Sequence, residues 1–410
     1  MEKKQSKDIN TISDNKNRKD FFEEVIKNKY PSSKINSKIL LKKNNSFENT
    51  DQTLDNAFSK TYPNYSEGII CQKPIGIVKS FSYNSYKGLT KENNEDRVIA
   101  ISPIPKPQKT IHRTWPKMSY FAVFDGHGGE NCSDYLKNNF LNILIENKSF
   151  PHDIKLALTE TFEKIEEEIL NKNKGKKLNE IDTSGSCALV SIITENKIYF
   201  ANIGDSRAIM SINNGAKVKQ LTIDHKPSNI KEYERVTKNG GKVYIDDFKD
   251  DEHTKVKEND LKFILDKSEF EKYDEQTIFR HFPSDLAVMR SVGDLKAKIR
   301  EYGGLPGNII GVPEIFVYDY SSYNDFMIMG CDGIFDDLSN EEIVRAAWHV
   351  FKNKSKERNY DINLLSKDSC DMIIKYGMSL LTSDNLSCIL IGMEGIQKFL
   401  GLKKLKDNKK

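Results

Sequence analysis

Phe121-Ala122-Val123-Phe124-Asp125-Gly126-His127-Gly128-Gly129-Glu130 is an apolar run that stops abruptly at a carboxylate. The run is too short for a helix with a polar face and contains no polar alternate, so it reads as a buried strand covered on both sides. The glycines that follow permit tight turning and close backbone approach. A strand ending in Asp-Gly-His-Gly-Gly brings a carboxylate, a bare carbonyl and an imidazole together, and hard divalent cations favour such oxygens. A lone Asp-Gly would be an ordinary turn. The full pentapeptide arises by chance in about one chain of this length in ten thousand at average residue frequencies.

The pattern recurs further along. Phe326 to Met329 is a second buried strand that runs into Cys331-Asp332-Gly333, and Leu386 to Met393 is a strand preceded by Ser383-Asp384-Asn385. Three apolar strands thus carry an Asp at one end. Upstream, Ile75 to Tyr83 and Val98 to Ile101 have strand character and flank Lys91-Glu92-Asn93-Asn94-Glu95-Asp96. Four prolines make Ser102 to Lys117 a connecting loop, since they exclude a ladder or a helix.

Downstream, Leu136, Phe140, Ile143 and Leu144 recur at helical spacing, as do Leu158, Phe162, Ile165 and Ile169. Lys172 to Lys177 reads as a solvated basic loop at the end of the second helix. Cys187 to Ile193, Lys197 to Ile203 and Arg207 to Ile212, with two short gaps, predict an antiparallel meander. Asn229 to Asn239 is a short helix closed by Gly240-Gly241. Ser339-Asn340-Glu341-Glu342 is a capping box opening a helix through Phe351, and Cys370 to Leu381 is the last helix.

Two regions differ in composition. Residues 1–73 are rich in Lys, Asn, Ser and Asp and predict a disordered extension. Residues 245–282 turn charged again and predict a surface insertion with few core residues and some helix around Leu261 to Tyr273; residues 398–410 form a basic tail. The folded part is therefore expected over 74–397. A net charge of +3, from 63 basic and 60 acidic side chains, gives no field that argues for nucleic acid. Six cysteines without a C-x-x-C pair read as reduced, buried thiols. With no apolar leader, lipidation signal or spanning segment, the expectation is a cytoplasmic or nuclear protein that does not insert into membranes.

Taken together the motifs resemble the PP2C (PPM) family of metal-dependent protein serine/threonine phosphatases, from about Ile75 to Gly395. They occur in the family's order: Asn94-Glu95-Asp96, Asp125 to Gly129, Ser184-Gly185-Ser186, Asn202 to Arg207, Leu221 to Pro227, Gly240-Gly241, Leu286 to Asp294, Asp332-Gly333 and Asp384-Asn385. The resemblance implies an α+β fold, a four-layer α-β-β-α sandwich of two antiparallel sheets flanked by helices. It implies two Mg²⁺ or Mn²⁺ ions, with Asp125 bridging both, Asp332 and Asp384 on the first, and Glu95 with the Gly126 carbonyl on the second. A third, weaker site would use Asp182 with Asp332.

The implied reaction is hydrolysis of phosphoserine and phosphothreonine in protein substrates, by a hydroxide between two dications about 3.5–4 Å apart. Asp96 would orient metal-bound water and His127 would protonate the leaving alkoxide. Two departures stand out. Lys91 occupies the position where most members use Arg to grip the phosphate, so a point charge replaces a bidentate fork. The 245–282 stretch is longer than usual and lies in the flap bordering the family's cleft. Asp205 and Arg207 read as braces of the sheet, and Asp294 has no derived role. The competing class is a pseudophosphatase that keeps the fold and serves as a binding module; it would be favoured by a lost ligand, and every ligand position is filled.

Overall fold

The structure is a computed structural model that describes residues 47–62, 64–70, 75–108, 114–246, 261–273, 277–355, 357 and 360–401. Most of the predicted N-terminal extension (1–46), the centre of the predicted insertion (247–260) and the end of the basic tail (402–410) lie outside the described residues. The chain divides into two compact units, Met1–Ser66 and Glu67–Lys410. The first contains a helix, α1 (Phe47–Ser59), within the stretch whose composition predicts disorder. Leu54 and Ala57, one turn apart, are its buried residues, a spacing that the surrounding polar residues mask.

The second unit runs β1 (Ile69–Ile70), β2 (Ser80–Tyr86), β3 (Arg97–Ile101), β4 (Ser119–His127), α2 (Asn131–Glu146), α3 (Ile154–Asn173), β5 (Gly185–Ile193), β6 (Lys197–Ile203), β7 (Arg207–Ile212), β8 (Lys217–Gln220) and α4 (Ile230–Lys238). It continues with β9 (Lys242–Ile245), β10 (Lys262–Ile264), β11 (Phe279–Phe282), β12 (Val292–Gly293), α5 (Leu295–Lys298), β13 (Glu314–Asp319), β14 (Asn324–Gly330), α6 (Asp332–Phe335), α7 (Asn340–Lys354), α8 (Ile362–Ser379), β15 (Leu386–Gly392) and α9 (Glu394–Phe399). One sheet has the order β1-β2-β15-β14-β7-β8; the other is β13-β6-β5-β4-β3 with β12 added beside β5. The named strands pair antiparallel throughout.

Strand periodicity distributes the residues of β4 between two layers. Tyr120, Ala122 and Phe124 join a core with Leu136, Phe140 and Leu144 of α2 and with Leu158, Phe162 and Ile165 of α3. Phe121, of opposite parity, meets Phe81 of β2 edge-on at 5.2 Å and so faces the other sheet. On the far side of that sheet, Phe326 of β14 packs on Trp348 and Phe351 of α7. The layers are helix, sheet, sheet, helix, as the resemblance implies. The predicted capping box at Ser339 and Glu342 is present, and Gly240 takes the left-handed conformation after α4.

The flap corrects one expectation. Its described parts form a three-stranded sheet, β10-β9-β11, and a 3₁₀ turn at Lys267–Lys272 instead of a helix over Leu261 to Tyr273. Ile245, Ile264 and Phe279 share a buried cluster with Tyr233, Val236, Met289 and Ile309. The stretch is packed into the domain, because widely spaced apolar residues converge in a small sheet that a charge-rich composition does not reveal.

Candidate active site

Asp125 shares the parity of Phe121 and lies where the layer between the sheets opens into a cleft of about 850 Å³. The strand ends bring three carboxylates to it. β4 supplies Asp125, β14 runs into Asp332 at the start of α6, and the turn before β15 supplies Asp384, all lining the cleft with Lys91, Gly126 and His127. Asp332 donates its backbone N–H to Asp125 Oδ2 at 3.4 Å, which ties one sheet's strand end to the other's.

Glu95 is fixed by its backbone and its carboxylate separately. Its N–H donates to Asn385 Oδ1 at 2.8 Å, and Asn385 Nδ2 donates to the carbonyls of Lys87 and Asn93. Glu95 Oε1 accepts from the Gly129 N–H at 2.7 Å, and its carbonyl accepts from Ser133 Oγ. Gly126 must be glycine at this crossing: a Cβ would sit 2.4 Å from the Glu95 carbonyl oxygen. Glu95 and Asp96 do not line the cleft. Asp96 is 3% exposed, and its Oδ2 is buried with no hydrogen-bond partner. Asp182, also off the cleft wall, accepts from the Ser184 N–H and Oγ.

The electrostatics are those of crowded buried acids. Burial, then Asp332, Asp96, Asp205 and Asp384, holds the Asp125 carboxyl well above its ordinary range. Burial followed by Asp205, Asp336 and Asp384 does the same to Asp332. Asp96 is pushed up to about 6 by burial, with Asp384 adding to it against hydrogen bonds from Ser387 and Cys331. Burial alone would lower the Lys91 pKa, but Asp384, 2.9 Å from Nζ, with Glu95 and Asp332 holds it above its usual value. Like charges this close do not ionise together without cations.

His127 Nε2 lies 2.7 Å from Asp294 Oδ2. Burial opposes the imidazolium, and the Asp294 charge more than compensates, so the His127 pKa is raised; burial would raise Asp294, but His127 lowers it below the usual carboxylate value. Gly185 makes room for this pair, since a Cβ there would be 2.2 Å from Asp294 Oδ2 and 2.4 Å from His127 Nε2. Asp294 is in the left-handed region at φ 50°, uncommon for a residue other than glycine.

Three residues at or beside the cleft have contacts that the sequence reading does not assign. Asp294 is one; it closes the Leu286 to Asp294 motif, and the motif does not disclose its contact with His127. Asp205, read from the sequence as a brace of the sheet, is the second: it also lines the cleft, and one of its carboxylate oxygens, one of Asp125 and the Cys187 Sγ all lie within 4.8 Å of one another. Arg207 does brace, holding Asp224 and stacking its guanidinium 4.9 Å over Phe335. Asn385 is the third, a clamp that joins the Glu95 N–H to the carbonyls of Lys87 and Asn93.

Residues 87–381 match the family described as Protein phosphatase 2C. The chain is 28% identical over 287 residues to "Probable protein phosphatase 2C 3" of Paramecium tetraurelia, covering 67% of this chain and 82% of that one. It is 30% identical over 240 residues to "Protein phosphatase 2C 1" of the same organism, covering 56% and 67% respectively. In fold it is similar to a Toxoplasma gondii phosphatase (TM-score 0.57, 18% identity, 80% of this chain and 96% of that one). A C. elegans sex determining protein is similar too (TM-score 0.57, 22% identity, 81% and 68%). No described helix is long and apolar enough to cross a membrane. A match of this extent, with the sandwich and the ordered motifs, makes the chain a member of the protein phosphatase 2C family, a protein serine/threonine phosphatase.

Proposed function

We propose that the chain hydrolyses phosphoserine and phosphothreonine in proteins at the cleft around Asp125, using two Mg²⁺ or Mn²⁺ ions and His127 as the general acid. The observation that carries this reading is the convergence of Asp125, Asp332 and Asp384 from three strand ends, each beside other acids and with Lys91 2.9 Å from Asp384. The buried acceptor Asp96 Oδ2, left without a partner, fits a site completed by ions and their waters.

The residues proposed to hold the ions are Asp125 between them, Asp332 and Asp384 on one side, and Glu95 with the Gly126 carbonyl on the other; Asp182 with Asp332 would serve a weaker third ion. Such ions supply a nucleophile from water at neutral pH and neutralise the phosphoryl oxygens. The protein's own groups do the rest. Asp96 would orient water. Lys91 exchanges the Asp384 carboxylate for a phosphate oxygen as substrate enters. Asp294 holds Nε2 of His127, so the proton given to the departing serine or threonine oxygen is the one on Nδ1. A proton is needed there because an alkoxide is a poor leaving group.

The test is phosphate release from a phosphothreonine peptide in Mn²⁺ or Mg²⁺, compared with the same protein in EDTA. Release that depends on the ion supports the reading. Equal release in EDTA contradicts the metal assignment, and no release under any condition favours the binding-module alternative.

A further inference from the structure

We infer that the favoured substrates are acidic around the phosphorylated residue and are drawn in by a basic ridge beside the cleft, formed by Lys172, Lys174, Lys176 and Lys177 with Lys296 and Arg300. The inference rests on the phosphatase reading above and narrows its substrate class. All six side chains are exposed, and among the described residues none of them is held in an ion pair.

The ridge is tied to the cleft by specific bonds. Lys296 and Tyr302 both line the cleft. The Tyr302 hydroxyl donates to the Lys176 carbonyl at 3.0 Å and the Asn173 carbonyl at 3.3 Å, which fastens the lysine loop to the cleft wall. Asn173 is buried, and its Oδ1 accepts from the Asp182 N–H at 3.4 Å, closing the loop from below. Beneath, Lys298 of α5 is taken up by Glu166 of α3. Both elements of the ridge are therefore anchored beside the cleft wall.

The neighbouring acids offset only part of the charge. Glu180 caps the Lys177 N–H, Asp182 is engaged by Ser184, and Glu301 is exposed among the cations. A solvated helix end explains part of the pattern, since cations suit the negative end of a helix. That effect acts within the last turn, which holds Lys172 alone. Lys174, Lys176 and Lys177 lie beyond it, and Lys296 and Arg300 belong to other elements. Several exposed lysines supply an attractive field for an acidic segment, long-ranged and weakened by salt.

The experiment compares two fluorescent phosphothreonine peptides, one flanked by Asp and one by Gln, for binding and turnover by the wild type and by a variant with Lys172→Ser, Lys174→Ser, Lys176→Ser and Lys177→Ser. Hydrolysis of a small aryl phosphate is followed in parallel. The expected result is wild-type binding about tenfold tighter to the acidic peptide, with most of that preference lost in the variant and at high salt, in line with several weak exposed pairs acting together. Equal binding of the two peptides by the wild type, or an unchanged preference in the variant, overturns the ridge. Tighter binding of a single-stranded oligonucleotide or an anionic vesicle than of the acidic peptide also overturns it, because the surface would then serve a different polyanion. Absence of aryl phosphate hydrolysis would instead count against the phosphatase reading, and the binding ratio would still decide the ridge.

Discussion

The Lys91 ammonium rests 2.9 Å from the Asp384 carboxylate, so the residue proposed to grip substrate phosphate neutralises a residue proposed to hold metal. The two roles compete for one contact. Lys91→Ala should therefore tighten Mn²⁺ binding by about two- to fivefold, the scale of a lost exposed ion pair. The same change should raise KM for a phosphothreonine peptide, and Lys91→Arg should lower it by up to about tenfold through bidentate contact, with kcat little altered. Calorimetric Mn²⁺ titration and steady-state kinetics of the three proteins check this. Identical Mn²⁺ affinity and KM in all three would make Lys91 an ordinary solvated residue.

Asp294 is proposed to act on the substrate through His127, whose Nε2 lies 2.7 Å from Asp294 Oδ2. Asp294→Asn should reduce kcat on alkyl phosphoesters by about 10- to 100-fold, part of what a positioned acid contributes, and change aryl phosphate hydrolysis much less. Gly185→Ala should mimic it, because the added Cβ would intrude on both partners. The readout is the ratio of alkyl to aryl rates. Equal losses on both substrates in either variant would show a structural defect in place of a misplaced acid.

The flap carries a titratable reporter of its own packing. His281 is fully buried, contacts Ser284 Oγ and Asn308 Nδ2, and burial with the nearby Arg235 charge depresses its pKa to about 4. In the unfolded chain its pKa is about 6.5, so below that pH the unfolded state takes up a proton that the folded state refuses. Stability from this group is thus intact above about pH 6.5 and is lost as pH falls towards 4, by an amount on the order of 3 kcal/mol. His225, depressed to about 3 by burial, titrates in the same direction, so the measurement is the difference between wild type and His281→Gln. Urea melts from pH 7 to 4.5 should show the wild type losing more stability on acidification than the variant. Parallel pH dependence in the two would mean that His281 is solvated.

What was legible in the sequence was local. An apolar run ending at Asp125 disclosed the strand, and the same reading picked out Asp332 and Asp384, which line one cleft with Asp125. The contacts that complete the site span long separations: Asn385 reaches Glu95 across 290 positions, and His127 meets Asp294 across 167. Neither pair leaves a periodic trace, since each depends on which sheet edges face each other. Asp205 was hidden for a related reason: a Gly-Asp-Ser turn between strands looks the same whether it caps a hairpin or points into a cleft. In the flap, Ile264 and Phe279 are buried among charged neighbours, and charge density obscured a three-stranded sheet with its own core.

Asp125 is proposed as the shared anchor of two catalytic ions, and the rate of phosphate release as a function of Mn²⁺ concentration, for wild type and Asp125→Ala, tests this most directly. The variant should remain folded, because it relieves a crowded buried carboxylate. Its turnover should fall by more than a thousandfold and should not recover at saturating Mn²⁺, a loss of about 4 kcal/mol or more in transition-state stabilisation. Turnover within about tenfold of wild type, a difference of only about 1.4 kcal/mol, with an unchanged Mn²⁺ dependence, would contradict the assignment of this carboxylate and of the centre built around it.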